Sequence, residues 1–306
     1  MSYTPQSVAA YVELLHTDHT RTAEANAALL AFQRSPECWA VAEALLASEH
    51  DVLVQFAASA LHQRARSGDA SGLDAIEAAC GRLLGAIGAV WGGAAARQLC
   101  LAVAHLAWRL CESSPQPGAS PVAVCRAAQY AALPPAAQVE LLTALPEARP
   151  RHREALKASA SEVLGVLQRL SAPGAPAALH VAQCVRAWQP LGIDLADLAG
   201  GGGVLLGALA LALQAEEPLC GVAADALCDA LQTGSYPPPD ATSPLLRQML
   251  AALVAAAPHV VGPAGADGAA LALARVASAT VVAAPAAAVA LAADGAPPDG
   301  PAELLL

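Results

Sequence analysis

Residue types able to do chemistry occur along this chain, but their spacing gives them little to do. His16, Asp18 and His19 form H-T-D-H at the end of a short helix, and ligands at i and i+3 on a fraying end make a poor metal site. Cysteines stand at 38, 80, 100, 111, 125, 184, 220 and 228, with no C-x-x-C among them. Most sit inside apolar helical runs, and Cys220 and Cys228 are eight apart on one helix, so buried reduced thiols are expected. The glycine run 200–203 lacks the lysine and the preceding strand of a phosphate loop. No H-E-x-x-H, G-x-S-x-G or G-x-x-x-x-G-K occurs, nor a G-x-G-x-x-G on a suitable strand-turn-helix. The basic run RPRHR at Arg149 to Arg153 opens a helix and is expected to be a solvated loop pairing with nearby acids. No catalytic residue, metal or cofactor is expected, and the chain does not read as an enzyme.

The elements that carry these residues are helices. Apolar residues reach 56% of the 306, largely as alanine, while aromatics are 3%. Alanine forms helices best and buries little area, so close-packed helices follow and a large sheet does not. The fold class is all-α. The net charge is −10, and 15 of the 16 basic residues are arginine. That sign repels phosphate backbones, which argues against nucleic acid and for a basic protein partner. The N-terminus is polar, without the apolar run of a signal peptide. Arg275 and Pro285 interrupt the apolar span Leu271 to Ala293, and Val204 to Leu213 is too short to cross a bilayer, so no membrane insertion is expected.

Ala31 to Arg66 sets the plan. A helix ends, Ser35-Pro36 turns, a helix follows, Ser48-Glu49-His50 turns, and Asp51 is expected to cap the next helix. In that helix Leu53, Phe56, Ala57, Ala60 and Leu61 define a buried face. Gln55, Ser59, His62 and Arg66 define an opposite polar face, available to a partner. A comparable stripe of Arg97, Leu101, His105 and Trp108 runs along Ala94 to Cys111, where Trp108 is expected to pack. Further helices are expected over Pro121 to Ala132, from Pro134-Pro135 to a stop at Pro146, and over Glu154 to Leu170. Ala177 to Trp188, Val204 to Gln214, Pro218 to Leu231 and Pro244 to Ala257 follow, with Ala269 to Val282 the last helical candidate. About six or seven antiparallel pairs recur roughly every 40 residues, the period of HEAT-type repeats. Such pairs stack into an α-solenoid with a concave inner surface. Three segments are expected: 1–112 and 113–260 as repeats, and 261–306 as an Ala/Gly/Pro-rich, poorly ordered end. That end lacks a polar cap, which implies a fragment of a longer array.

Specific runs sharpen this picture. FQRSPECWAVAEALL and then DVLVQFAASALH resemble the amino-terminal region of the importin-β superfamily of nuclear transport receptors, above all its transportin-SR and importin-thirteen branch. RQLCLAVAHLAW, ELLTALPE, CVRAWQPLGI and AADALCDAL resemble that branch in the same order, covering roughly residues 5 to 232. The resemblance implies a karyopherin, a carrier that binds Ran-GTP through the inner helices of its first repeats. It implies phenylalanine-glycine nucleoporins as further partners, basic or Arg/Ser-rich protein cargo, and shuttling between nucleus and cytoplasm. On this chain the Ran-facing candidates are Gln55, Ser59, His62, Arg66, Arg97 and His105. The alternative is a generic α-solenoid scaffold with no Ran dependence.

Overall fold

The computed structural model describes residues 2–68, 73–114, 120–171, 177–233, 253–254 and 267–283; among them every regular element is helical and no strand occurs. Two compact units divide the chain, Met1–Leu156 and Lys157–Leu306.

In the first unit α1 (Pro5–Thr17) begins at Thr4, whose hydroxyl accepts from the Ser7 amide at 3.2 Å while Ser7 Oγ accepts from the Thr4 amide at 2.9 Å. This reciprocal cap satisfies two N–H groups the helix leaves open. α2 (Thr22–Arg34) lies against α1 and buries Ala25, Leu29 and Phe32, which recur at helical spacing. α3 (Cys38–Leu45) pairs with α4 (Asp51–Ser67), and α5 (Leu73–Ala89) with α6 (Ala95–Ser113). A 3-10 segment Pro121–Arg126 and the single turn α7 (Ala128–Ala131) lead into α8 (Pro135–Ala148). Across the pairs, α4, α6 and α8 lie side by side in one row, and α5 packs on α7 on the other. Leu61, Leu83, Leu99, Leu106, Leu141 and Leu142 are fully buried between them.

Several expectations about ends and boundaries are corrected here. His50, not Asp51, is the N-cap of α4, and its side chain makes no capping bond. Asp51 is the first helical residue, where its charge faces the positive end of the helix dipole. Of the predicted buried face of α4, Ala57, Ala60 and Leu61 are buried but Leu53 and Phe56 only half-buried. Pro146 does not stop α8, which runs on to Ala148. A proline costs a helix one hydrogen bond, and near the C-terminus neighbouring groups can serve the carbonyls left open. The Leu145 carbonyl, left open by the end of the helix, accepts from the Trp108 indole Nε1 of α6 at 2.9 Å. Pro121 to Ala132 is 3-10 and a single α turn instead of one helix, and Arg153–Ser159 is 3-10. The expected division at residue 112 falls inside the first unit, because α6 packs on α8 and Glu112 pairs with Arg149 at 3.6 Å.

The second unit repeats the arrangement. α9 (Ala160–Leu170) packs on α11 (Leu195–Ala212), while α10 (Ala178–Trp188), α12 (Leu219–Thr233) and α13 (Asp267–Ala283) form a row. Asp194 and Asp197 cap the start of α11 reciprocally. Gly201, Gly202 and Gly203 then take φ of 58°, 79° and 73° and break the helix. Only glycine enters that left-handed region freely, and a Cβ on Gly201 would meet Gln168 at 2.9 Å. α11 is the one described helix long and apolar enough to cross a membrane, but half of it is buried in the unit and the glycine break divides it. The last helical candidate, Ala269 to Val282, lies within α13, which buries Ala269, Leu273, Val276 and Thr280 and packs on α12. Of the predicted Pro244 to Ala257 helix, Leu253 and Val254 are helical and the rest lies outside the described residues, as do 69–72, 115–119, 172–176, 234–252, 255–266 and 284–306.

Candidate functional site

The row α4–α6–α8 carries all six residues singled out from the sequence, and it treats them unequally. Gln55 and Arg66 of α4 are exposed, and Ser59 is half-buried. Gln55 also lines a cavity of about 580 Å³ between the α3–α4 turn and the α5–α6 turn, opposite Val90 and Trp91. His62 is half-buried and reaches α6, its Nδ1 2.7 Å from Gln98 Oε1. When Nδ1 carries the proton, it donates to the Gln98 carbonyl.

His105 is buried, with 7% of its surface exposed, and its ring stacks on that of His62 with centroids 5.3 Å apart and planes 24° from parallel. Burial pulls His105 down to about 4, aided by the neighbouring His62, Arg149 and Arg66. His62 is lowered by burial and by Arg66, against the opposing pull of Gln98. Both rings are therefore neutral near pH 7, fitted for stacking and poorly placed to present charge.

Arg97 is engaged inside the unit. Its Nη1 donates to Glu140 Oε1, and its Nη2 donates to both oxygens of Glu147 at 2.8 and 3.0 Å. Burial works against its charge, but the two carboxylates hold the guanidinium above its ordinary value. Glu140 is nearly enclosed, with 6% of its side chain exposed, so Arg97 supplies the countercharge that makes its burial tolerable.

Sequence reasoning passed over Gln98, Glu140, Glu147 and Arg64. Glu140 and Glu147 are seven apart on α8, two turns on one stripe, which was the available signal for a shared partner. Arg64 is 8% exposed, and its Nη1 donates to the Arg34 carbonyl at the end of α2, 3.4 Å away. Arg149 of the basic run pairs with Glu112, the fate expected of it.

A groove of about 660 Å³ opens on the other row, between α5, α6 and Pro121–Arg126. Leu84, Ala107, Leu110 and Val124 line it, with Glu77 and Gln129 among its polar groups. The eight cysteines are thiols, and none is fully exposed. Burial pushes Cys38 up to about 11 and Cys80 up to about 12, which removes them as nucleophiles. Asp18 bonds to the amide and hydroxyl of Thr20, and no cluster of metal-ligating side chains occurs among the described residues. On this row the exposed Gln55 and Arg66 and the half-buried Ser59 and His62 form a polar surface. Comparison with known proteins finds no family model and no curated protein that matches the chain.

Proposed function

We propose that the chain is an α-solenoid of HEAT-type pairs acting as a nuclear transport receptor fragment, a carrier and not a catalyst. Ran-GTP binds the polar stripe of α4 beside α6, with Gln55, Ser59 and Arg66 as first contacts and His62, Arg97 and His105 behind them. The observation that supports this most is the side-by-side row α4–α6–α8, carrying the candidate residues in the part of the chain that resembles importin-β receptors. The groove between α5, α6 and Pro121–Arg126 has the apolar lining that a phenylalanine-glycine nucleoporin would need. A chain of net charge −10 suits basic or Arg/Ser-rich cargo, imported from cytoplasm to nucleus.

A pull-down with Ran loaded with GTP or GDP tests the proposal. Retention of the GTP form alone is expected, and Arg66→Glu is expected to weaken it more than Gln55→Ala does. Equal retention, or none in either state, removes the Ran reading. Because Arg97 and His105 are committed to contacts within the unit, a second reading stands beside the first: a protein-interaction scaffold of the same architecture without nucleotide-state dependence.

A further inference from the structure

We infer that the α4–α6 seam is an acid-sensitive joint: the stacked His62 and His105 rings hold the two helices together while neutral, and protonating them loosens that seam. The inference stands apart from the transport reading and needs only the packing.

Two imidazoles stacked at 5.3 Å attract as neutral rings and repel as cations. The surroundings deepen that asymmetry. Arg66 on α4 and Arg149 after α8 both act on His105, and Arg109 stands one turn on from it along α6. Carboxylates that would shelter an imidazolium are spoken for or distant. On α4 there is Asp51 alone, eleven residues from His62, or about three turns. On α6 there is Glu112, paired with Arg149. α8 brings Glu140 and Glu147, both on Arg97, while α3 brings Glu43, bound to Arg82 of α5. Asp74 and Glu77 of α5 line the cavities beside Gly81 and Gln129. Among the other neighbours of the seam, α1 carries Glu13 and His16, both exposed, and α2 carries Glu24, bound to Arg21, and Arg34. Arg64 of α4 reaches the Arg34 carbonyl, and Pro121–Arg126 brings no carboxylate.

The sign follows from linkage. An unfolded chain has its histidines near 6.5, whereas both rings are held lower in the fold, His105 at about 4. Below about pH 6.5 the unfolded state binds more protons, so the seam's stability falls as pH drops toward 4 and is fully present at pH 7.5.

Histidine ring resonances of the full chain, titrated from pH 7.5 to 3, test the joint together with urea midpoints at pH 7.5 and 5.5. His105 is expected to stay neutral at pH 6, and His62 to titrate below its ordinary value. His62→Gln is expected to move the His105 titration upward, since it removes one positive neighbour. The His62→Gln, His105→Gln chain is expected to lose less than half as much midpoint on acidification as the parent. If the double variant fails to fold, His62→Gln alone carries the test, its ring being half-exposed. Titration of both rings near 6.5, an unmoved His105 in His62→Gln, or an acid loss equal to the parent's would overturn the inference.

Discussion

The two units build the same row of helices and fasten it differently. In Met1–Leu156 the fastening is enclosed: a histidine stack between α4 and α6, and Arg97 holding the nearly buried Glu140 between α6 and α8. In Lys157–Leu306 the ion pairs lie nearer the surface, beside one enclosed bond from Gln189 Nε2 to the Ala226 carbonyl of α12. Asp225 of α12, with 28% of its side chain exposed, takes Arg186 of α10 at 2.8 Å and Arg275 of α13 at 2.6 Å. An ion pair in water contributes at most about 1 kcal/mol, whereas a charge out of water depends on its partner far more strongly. The comparison teaches that one helix ladder tolerates either device, and that only the enclosed one makes folding hostage to particular polar residues.

Variants can break or sharpen that contrast. The largest effect belongs to the apolar packing that both units share. Leu61→Ala, at a fully buried position, is expected to cost about 2–5 kcal/mol by urea denaturation. A loss below about half a kilocalorie would mean that Leu61 contributes no core. Next come the fasteners. Arg97→Ala leaves Glu140 enclosed without its cation and is expected to cost about 1–3 kcal/mol, tempered because Arg97 itself is half-exposed. Arg275→Ala in the other unit is expected to cost less than about 1 kcal/mol, and equal losses would erase the distinction between enclosed and surface fastening. At the small end, Gln55→Ala is expected to change stability by less than about 0.5 kcal/mol, whatever it does to partner binding.

The helices were legible in the sequence because apolar residues recur at helical spacing: Ala57, Ala60 and Leu61 of α4 are fully buried where the pattern placed them. Ends were less legible. A proline read locally stops a helix, yet α8 runs two residues past Pro146, and one carbonyl of its last turn, that of Leu145, is served by an indole 37 residues away, a distance no local rule contains. α13 was hard to weigh for a different reason. Its alanines suit a helix and a low-complexity tail alike, and its burial of Leu273 and Val276 depends on meeting α12. Of the candidate site, the stripe on α4 was readable from a spacing of four, three and four. The engagement of Arg97 and His105 was not, since it depends on which residues of α8 and α4 the packing brings opposite.

The bond from Trp108 to the Leu145 carbonyl also gives the molecule a built-in gauge. An indole 4% exposed and hydrogen-bonded across two helices should emit toward the blue and resist acrylamide. In a chain with Trp39, Trp91 and Trp188 replaced by phenylalanine, parting α6 from α8 would redden and quench the remaining emission, so fluorescence would follow that one joint of the row.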